Sequence, residues 1–172
     1  MRNPVKRGGP WSSRSLLLLL AGASLAALPA PAAAQEKFVK IGNLTDFNFG
    51  LITNLSADRA LASSICVYSA KTTPGYNVRA SGSGVNGAFS LAGAGSTLGY
   101  EVQWSARPGQ SSGTILQPDV VLSGLITTSA QANCNSGPPS SASLVVMLRA
   151  TSLQAALSGS YSGTLTVIIG SE

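Results

Sequence analysis

The chain has 172 residues, 11 Lys or Arg against 6 Asp or Glu, a formal charge of +5, and no histidine. Without histidine, a serine or cysteine nucleophile lacks its commonest activating base and zinc lacks its commonest side-chain ligand. The positive charge does not argue for nucleic acid, because it is concentrated at one end.

That end reads as a secretory signal over residues 1–34. Arg2, Lys6, Arg7 and Arg14 supply a positive start, and Ser15–Leu28 an apolar stretch centred on Leu16–Leu20. Pro29 and Pro31 break the helix, and Ala32-Ala33-Ala34 offers the small residues that signal peptidase requires. A spanning helix needs about 20 apolar residues, which this run does not reach. Beyond it stand Lys37, Lys40, Arg59, Lys71, Arg79, Arg107 and Arg149, against Glu36, Asp46, Asp58, Glu101, Asp119 and Glu172. They are scattered singly, whereas phosphate contacts need clustered cations. Nucleic acid is therefore not an expected partner.

Residues 35–172 suit one domain, rich in Ser, Thr, Gly and Val. Strands are predicted at Phe38–Ile41, Phe47–Thr53, Ser64–Ser69, Tyr76–Ser81, Ala88–Leu91, Leu98–Ala106, Val120–Thr128, Ser143–Ala150 and Ser160–Ile169. Several alternate with period two. Tyr76, Val78 and Ala80 share a face, as do Tyr100, Val102 and Trp104, and again Leu165, Val167 and Ile169. Turn residues separate the runs, at Thr73-Pro74-Gly75, Ser81–Gly84, Arg107-Pro108-Gly109 and Asn135–Pro139. Leu153–Leu157 fits one helical turn. Short strands at close spacing predict an all-β sandwich or barrel.

Two cysteines, Cys66 and Cys134, remain in the exported portion and read as a disulfide, the alternative being two buried thiols. Two distant cysteines make no zinc cage, so no metal is expected. Gly82-Ser83-Gly84-Val85-Asn86-Gly87 matches a dinucleotide fingerprint, but a strand-like run follows where that site needs a helix. No cofactor is expected. The carboxylates Asp46, Asp58, Glu101 and Asp119 are dispersed, and no catalytic residue can be nominated. The sequons at Asn43 and Asn54 carry no weight in a chain this rich in Ser and Thr. Trp104 and Tyr100 fit a core better than a ligand platform.

An ordered set of segments resembles a known family. These are Phe47–Gly50, Ile65–Ser69, Gly75–Gly84, Ala88–Leu91, Tyr100–Trp104, Cys134 and Tyr161–Val167. Together they resemble the spore coat protein U domain, shared with subunits of archaic, Csu-type chaperone–usher pili. The resemblance implies an immunoglobulin-like, pilin-type sandwich over 35–172 that lacks its last strand. It implies a periplasmic chaperone, an outer-membrane usher and neighbouring pilus subunits as partners, with no small-molecule cofactor. It further implies passage through the periplasm to the cell surface, adhesion and biofilm formation, and a structural, non-enzymatic role. Carried over by position, Leu165, Val167 and Ile169 line the acceptor groove, and Phe38, Val39 and Ile41 belong to the candidate donor segment. Phe38 and Ile41 are three apart, so alternation cannot put both on one face; it allows Phe38 with Lys40, or Val39 with Ile41. The same segment also reads as the domain's own first strand. A minor or tip-proximal subunit fits this at least as well as the main shaft protein. A self-complemented coat or matrix protein and a carbohydrate-binding adhesin are the other readings, the adhesin requiring Trp104 or Tyr100 in contact with solvent.

Overall fold

A computed structural model describes residues 38–70, 74–93, 95–134 and 140–172, all within the unit Ala34–Glu172. The expected signal, the start of the candidate donor segment, and the turn at Asn135–Pro139 lie outside the described residues. So does Thr73 of the turn at Thr73–Gly75.

Eleven strands follow in order: β1 Val39–Gly42, β2 Arg59–Ser69, β3 Gly75–Gly82, β4 Ser90–Gly93, β5 Ser96–Gly99, β6 Glu101–Ser105, β7 Thr114–Ile115, β8 Leu122–Ile126, β9 Ala142–Leu148, β10 Tyr161–Ser162 and β11 Leu165–Ser171. Among the described residues one short α-helix, α1 Ala150–Ala155, lies between β9 and β10, and a 3-10 turn, Val85–Gly87, between β3 and β4. All pairings are antiparallel, in three sheets ordered β1-β2-β9-β6-β7, β10-β4-β5 and β11-β3-β8. The fold is an all-β sandwich, as the composition predicts.

The five-stranded sheet packs on β11-β3-β8. Ile65, Val67, Val102, Trp104, Ala142 and Leu144 come from the first, and Tyr76, Val78 and Ala80 from the second. Period-two alternation places these side chains on the inner faces. β9 departs from alternation, since Ala142–Val146 are all buried. It lies between β2 and β6, and the loop after β6 covers its outer face. There the Ser143 hydroxyl donates to the Arg107 carbonyl and accepts the Gln110 amide. A strand covered on both faces carries the continuous run Leu144–Leu148. A second cluster of Leu98, Leu148 and Leu153 lies at one end, against Phe49, Ile52 and Leu91.

Two backbone devices shape the edges. Between Tyr76/Leu125 and Val78/Leu122, β8 carries one residue more than β3, and Gly124 in that step has φ +74°. This is a bulge of the kind that glycine permits. At the other edge, Asn43 has φ +62° and ends the β1–β2 ladder at Gly42.

Three expected strands need correction. Phe47–Thr53 is not a strand: once Asn43 turns the chain away from β2, residues 44–57 form no backbone–backbone hydrogen bond among the described residues. Leu98–Ala106 is two strands broken at Tyr100, because β5 pairs with β4 while β6 pairs with β9. Ser160–Ile169 is likewise two strands, broken at Gly163-Thr164.

Candidate functional site

The Cys66–Cys134 disulfide is formed, with Cα atoms 6.0 Å apart and both residues buried. It ties the end of β2 to the loop after β8. Beside it the ladder between β2 and β9 ends at Ile65/Ala142, and Ser141 continues it with a side chain. Its hydroxyl accepts the Val67 amide and donates to the Val67 carbonyl.

β11 is an edge strand. The Glu172 amide donates to the Gly75 carbonyl at the end of the β11–β3 ladder. Antiparallel pairing alternates hydrogen-bonded with non-bonded pairs, so Thr166, Ile168 and Gly170 turn their backbone groups toward β3. Leu165, Val167 and Ile169 turn theirs to the opposite side, where no strand pairs with β11 among the described residues, although β1 lies close by. The side chains of these three residues point inward, half-buried against the core.

Across from this edge runs the unpaired segment after β1. Phe47 and Phe49 are half-buried, while Leu44, Thr45, Asp46 and Asn48 are exposed. Asn48 and Asn54 stiffen the segment by accepting the amides of Gly50 and Ser56. Thr45 shares a hydrogen bond of 3.0 Å with Ser63 of β2. Between this wall and β11 lies a groove of about 400 Å³. Its floor is Leu144, Val146 and Leu148 of β9 with Leu91 and Tyr100, and Leu165 and Val167 line the β11 side. The groove therefore has an apolar floor between two walls that do not pair with each other.

The sequence places Leu165, Val167 and Ile169 on one inward face, and the groove brings the first two together with the floor. It gives no hint of the Phe47/Phe49 wall, because that segment reads as a strand. The floor was available in the apolar run of β9. The candidate donor residues sit elsewhere. Val39 and Ile41 pack on the core from β1, and Phe38 is 46% exposed with its ring 5.6 Å from that of Tyr68. In this chain the segment is the domain's own first strand.

Trp104 is 1% exposed, and its indole N–H donates to the Tyr76 hydroxyl. Tyr100 is half-buried against Phe89 at 5.6 Å. Burial pushes both tyrosine hydroxyls above their ordinary range, with the Trp104 bond opposing this at Tyr76. A carbohydrate platform on Trp104 is thereby removed.

The glycine-rich turn also has a packing explanation. The run Gly82–Gly87 ends β3 and closes in a single 3-10 turn, Val85–Gly87, before β4, with no α-helix after it. A side chain at Gly82 would meet the Ala88 carbonyl oxygen, and one at Gly87, where φ is +75°, would meet the Asp119 carboxylate. A second hollow of about 410 Å³ borders Glu101 and Arg149, but these groups bond to each other. Arg149 reaches Glu101 and Asp58 at 2.8 Å each. Among the described residues no three His, Cys, Asp or Glu side chains gather as a metal site.

No family model matches the chain, and no curated protein matches it significantly.

Proposed function

We propose that the chain is a structural subunit, minor or tip-proximal, of a chaperone–usher type surface fimbria serving adhesion and biofilm formation. The observation that carries this reading is the open edge of β11 facing the unpaired segment 44–57 across an apolar floor. Such an edge is a template for another chain, and a protein that keeps one open uses it or aggregates. A strand seated there would find backbone partners on β11 and apolar contacts below, the recognition mode of strand addition. Each fully buried aliphatic side chain contributes roughly 1.5–3 kcal/mol, so three would suffice for assembly without a nucleotide. A periplasmic chaperone would supply the strand first, and a neighbouring subunit would replace it at an outer-membrane usher.

The engagement of β1 with β2 bears on position in the fibre. Val39 and Ile41 are already used by their own core, so donating them would strip β1 from its sheet. A subunit that accepts a strand without donating one belongs at or near a fibre end. The same strand favours the second reading, a self-complemented coat or matrix protein, although β1 leaves the β11 edge open.

Expression of the exported chain in a bacterial periplasm, with and without an archaic-type chaperone, tests this. A one-to-one complex with chaperone and aggregate without it is the expected result. A soluble, cooperatively unfolding monomer in both cases would leave the self-complemented protein.

A further inference from the structure

We propose that the strand accepted by this groove, from another polypeptide, carries a Lys or Arg at an outward position between inward apolar residues, and that Asp46 selects it. The inference rests on the groove reading above. Asp46 is the only charged residue along the groove, and it has no ion pair or hydrogen bond among the described residues. It is exposed, between the exposed Thr45 and the half-buried Phe47, and lines the rim of the groove. Across the groove, the outward residues of the facing edge are Thr164 and Thr166, which are exposed and neutral.

A strand seated between these walls turns alternate side chains into the apolar floor and the others outward. Its outward residues then become lateral neighbours of Asp46 on one side and threonines on the other. Opposite charges at such positions attract and like charges repel. Among the described residues no cation lines the groove, so the rim favours a basic residue and rejects an acidic one. The inward residues supply the affinity, and Asp46 the choice among strands of equal hydrophobicity.

The test uses two labelled synthetic peptides, Val-Thr-Val-Lys-Val-Thr-Val and the same sequence with Glu in place of Lys. Their affinity for the exported chain is read by fluorescence anisotropy at low and high salt. The Lys peptide should bind about fivefold more tightly at low salt, the preference shrinking as salt screens an exposed pair. Asp46→Asn should abolish the preference and Asp46→Lys reverse it. Equal affinity for both peptides, with binding lost in Val167→Asp, would overturn the charge selection and leave the groove standing. If neither peptide binds, the groove reading falls, and this inference with it.

Discussion

The indole N–H of Trp104 on β6 donates to the hydroxyl of Tyr76 on β3 across 3.1 Å, joining the two faces of the sandwich inside the core. Both residues are essentially without solvent contact, so neither polar group has water as a substitute. Tyr76→Phe should cost about 1–3 kcal/mol, the penalty for a buried donor left unpaired. Trp104→Phe should cost more, because it adds a cavity to an orphaned hydroxyl. The double variant should cost less than the sum, since removing both partners leaves nothing unsatisfied. Denaturant unfolding of the four proteins measures this, and strict additivity would mean the bond is not a shared interaction.

How much of this was legible depends on what each residue answers to. Tyr76, Val78 and Ala80 answer to alternation alone, so their burial could be read directly from the sequence. The inward face of Leu165, Val167 and Ile169 has the same origin. The segment Phe47–Thr53 has the composition of a strand, yet its pairing is decided by the Asn43 backbone, four residues upstream and out of pattern. Tyr100 breaks one apparent strand into two because its neighbours pair with different sheets, which is a tertiary fact. The groove exists because a strand-like segment does not pair.

The Cys66–Cys134 bridge closes a loop with a sequence separation of 68. Restricting the unfolded chain over that length is worth about 4 kcal/mol on the chain-entropy account. Thermal unfolding with and without reductant should show a large downward shift of Tm, reproduced by Cys66→Ala with Cys134→Ala. Because Cys134 anchors the loop after β8, amides near Thr127 and Ser129 should lose protection first. An unchanged Tm would show that packing alone holds the loop.

Acid should weaken the fold through the Asp58–Arg149–Glu101 network. Asp58 is held below its ordinary value of 3.8 by the Ala150 amide first and by Arg149 second. At Glu101 partial burial pushes upward, but hydrogen bonds from Arg149 and Gln103 outweigh it and hold the carboxyl below its ordinary 4.5. A carboxylate depressed in the folded state favours folding above its unfolded value, and that contribution is lost as pH falls through the folded value. Stability should therefore be level near neutrality and decline below about pH 4.5. Arg149→Met should flatten that decline only in part, since Asp58 keeps the Ala150 amide at the start of α1. Tm measured against pH for both proteins checks it, and parallel curves would remove Arg149 as the cause.

The open edge of β11 predicts an alternating pattern in amide hydrogen exchange. Thr166, Ile168 and Gly170 direct their amides to β3 and should exchange slowly, at rates set by opening of that sheet. Leu165, Val167 and Ile169 direct theirs to the unpaired side and should exchange quickly, although their side chains are half-buried. Burial of the side chain and protection of the amide are thus uncoupled along one strand. Binding of a strand in the groove should slow the second set and leave the first nearly unchanged, because only the second gains partners. Residues 44–50 should show protection as well if the incoming strand pairs with both walls, and none if it pairs with β11 alone. Uniform slow exchange along β11 in the free chain would mean that its outer edge is already covered.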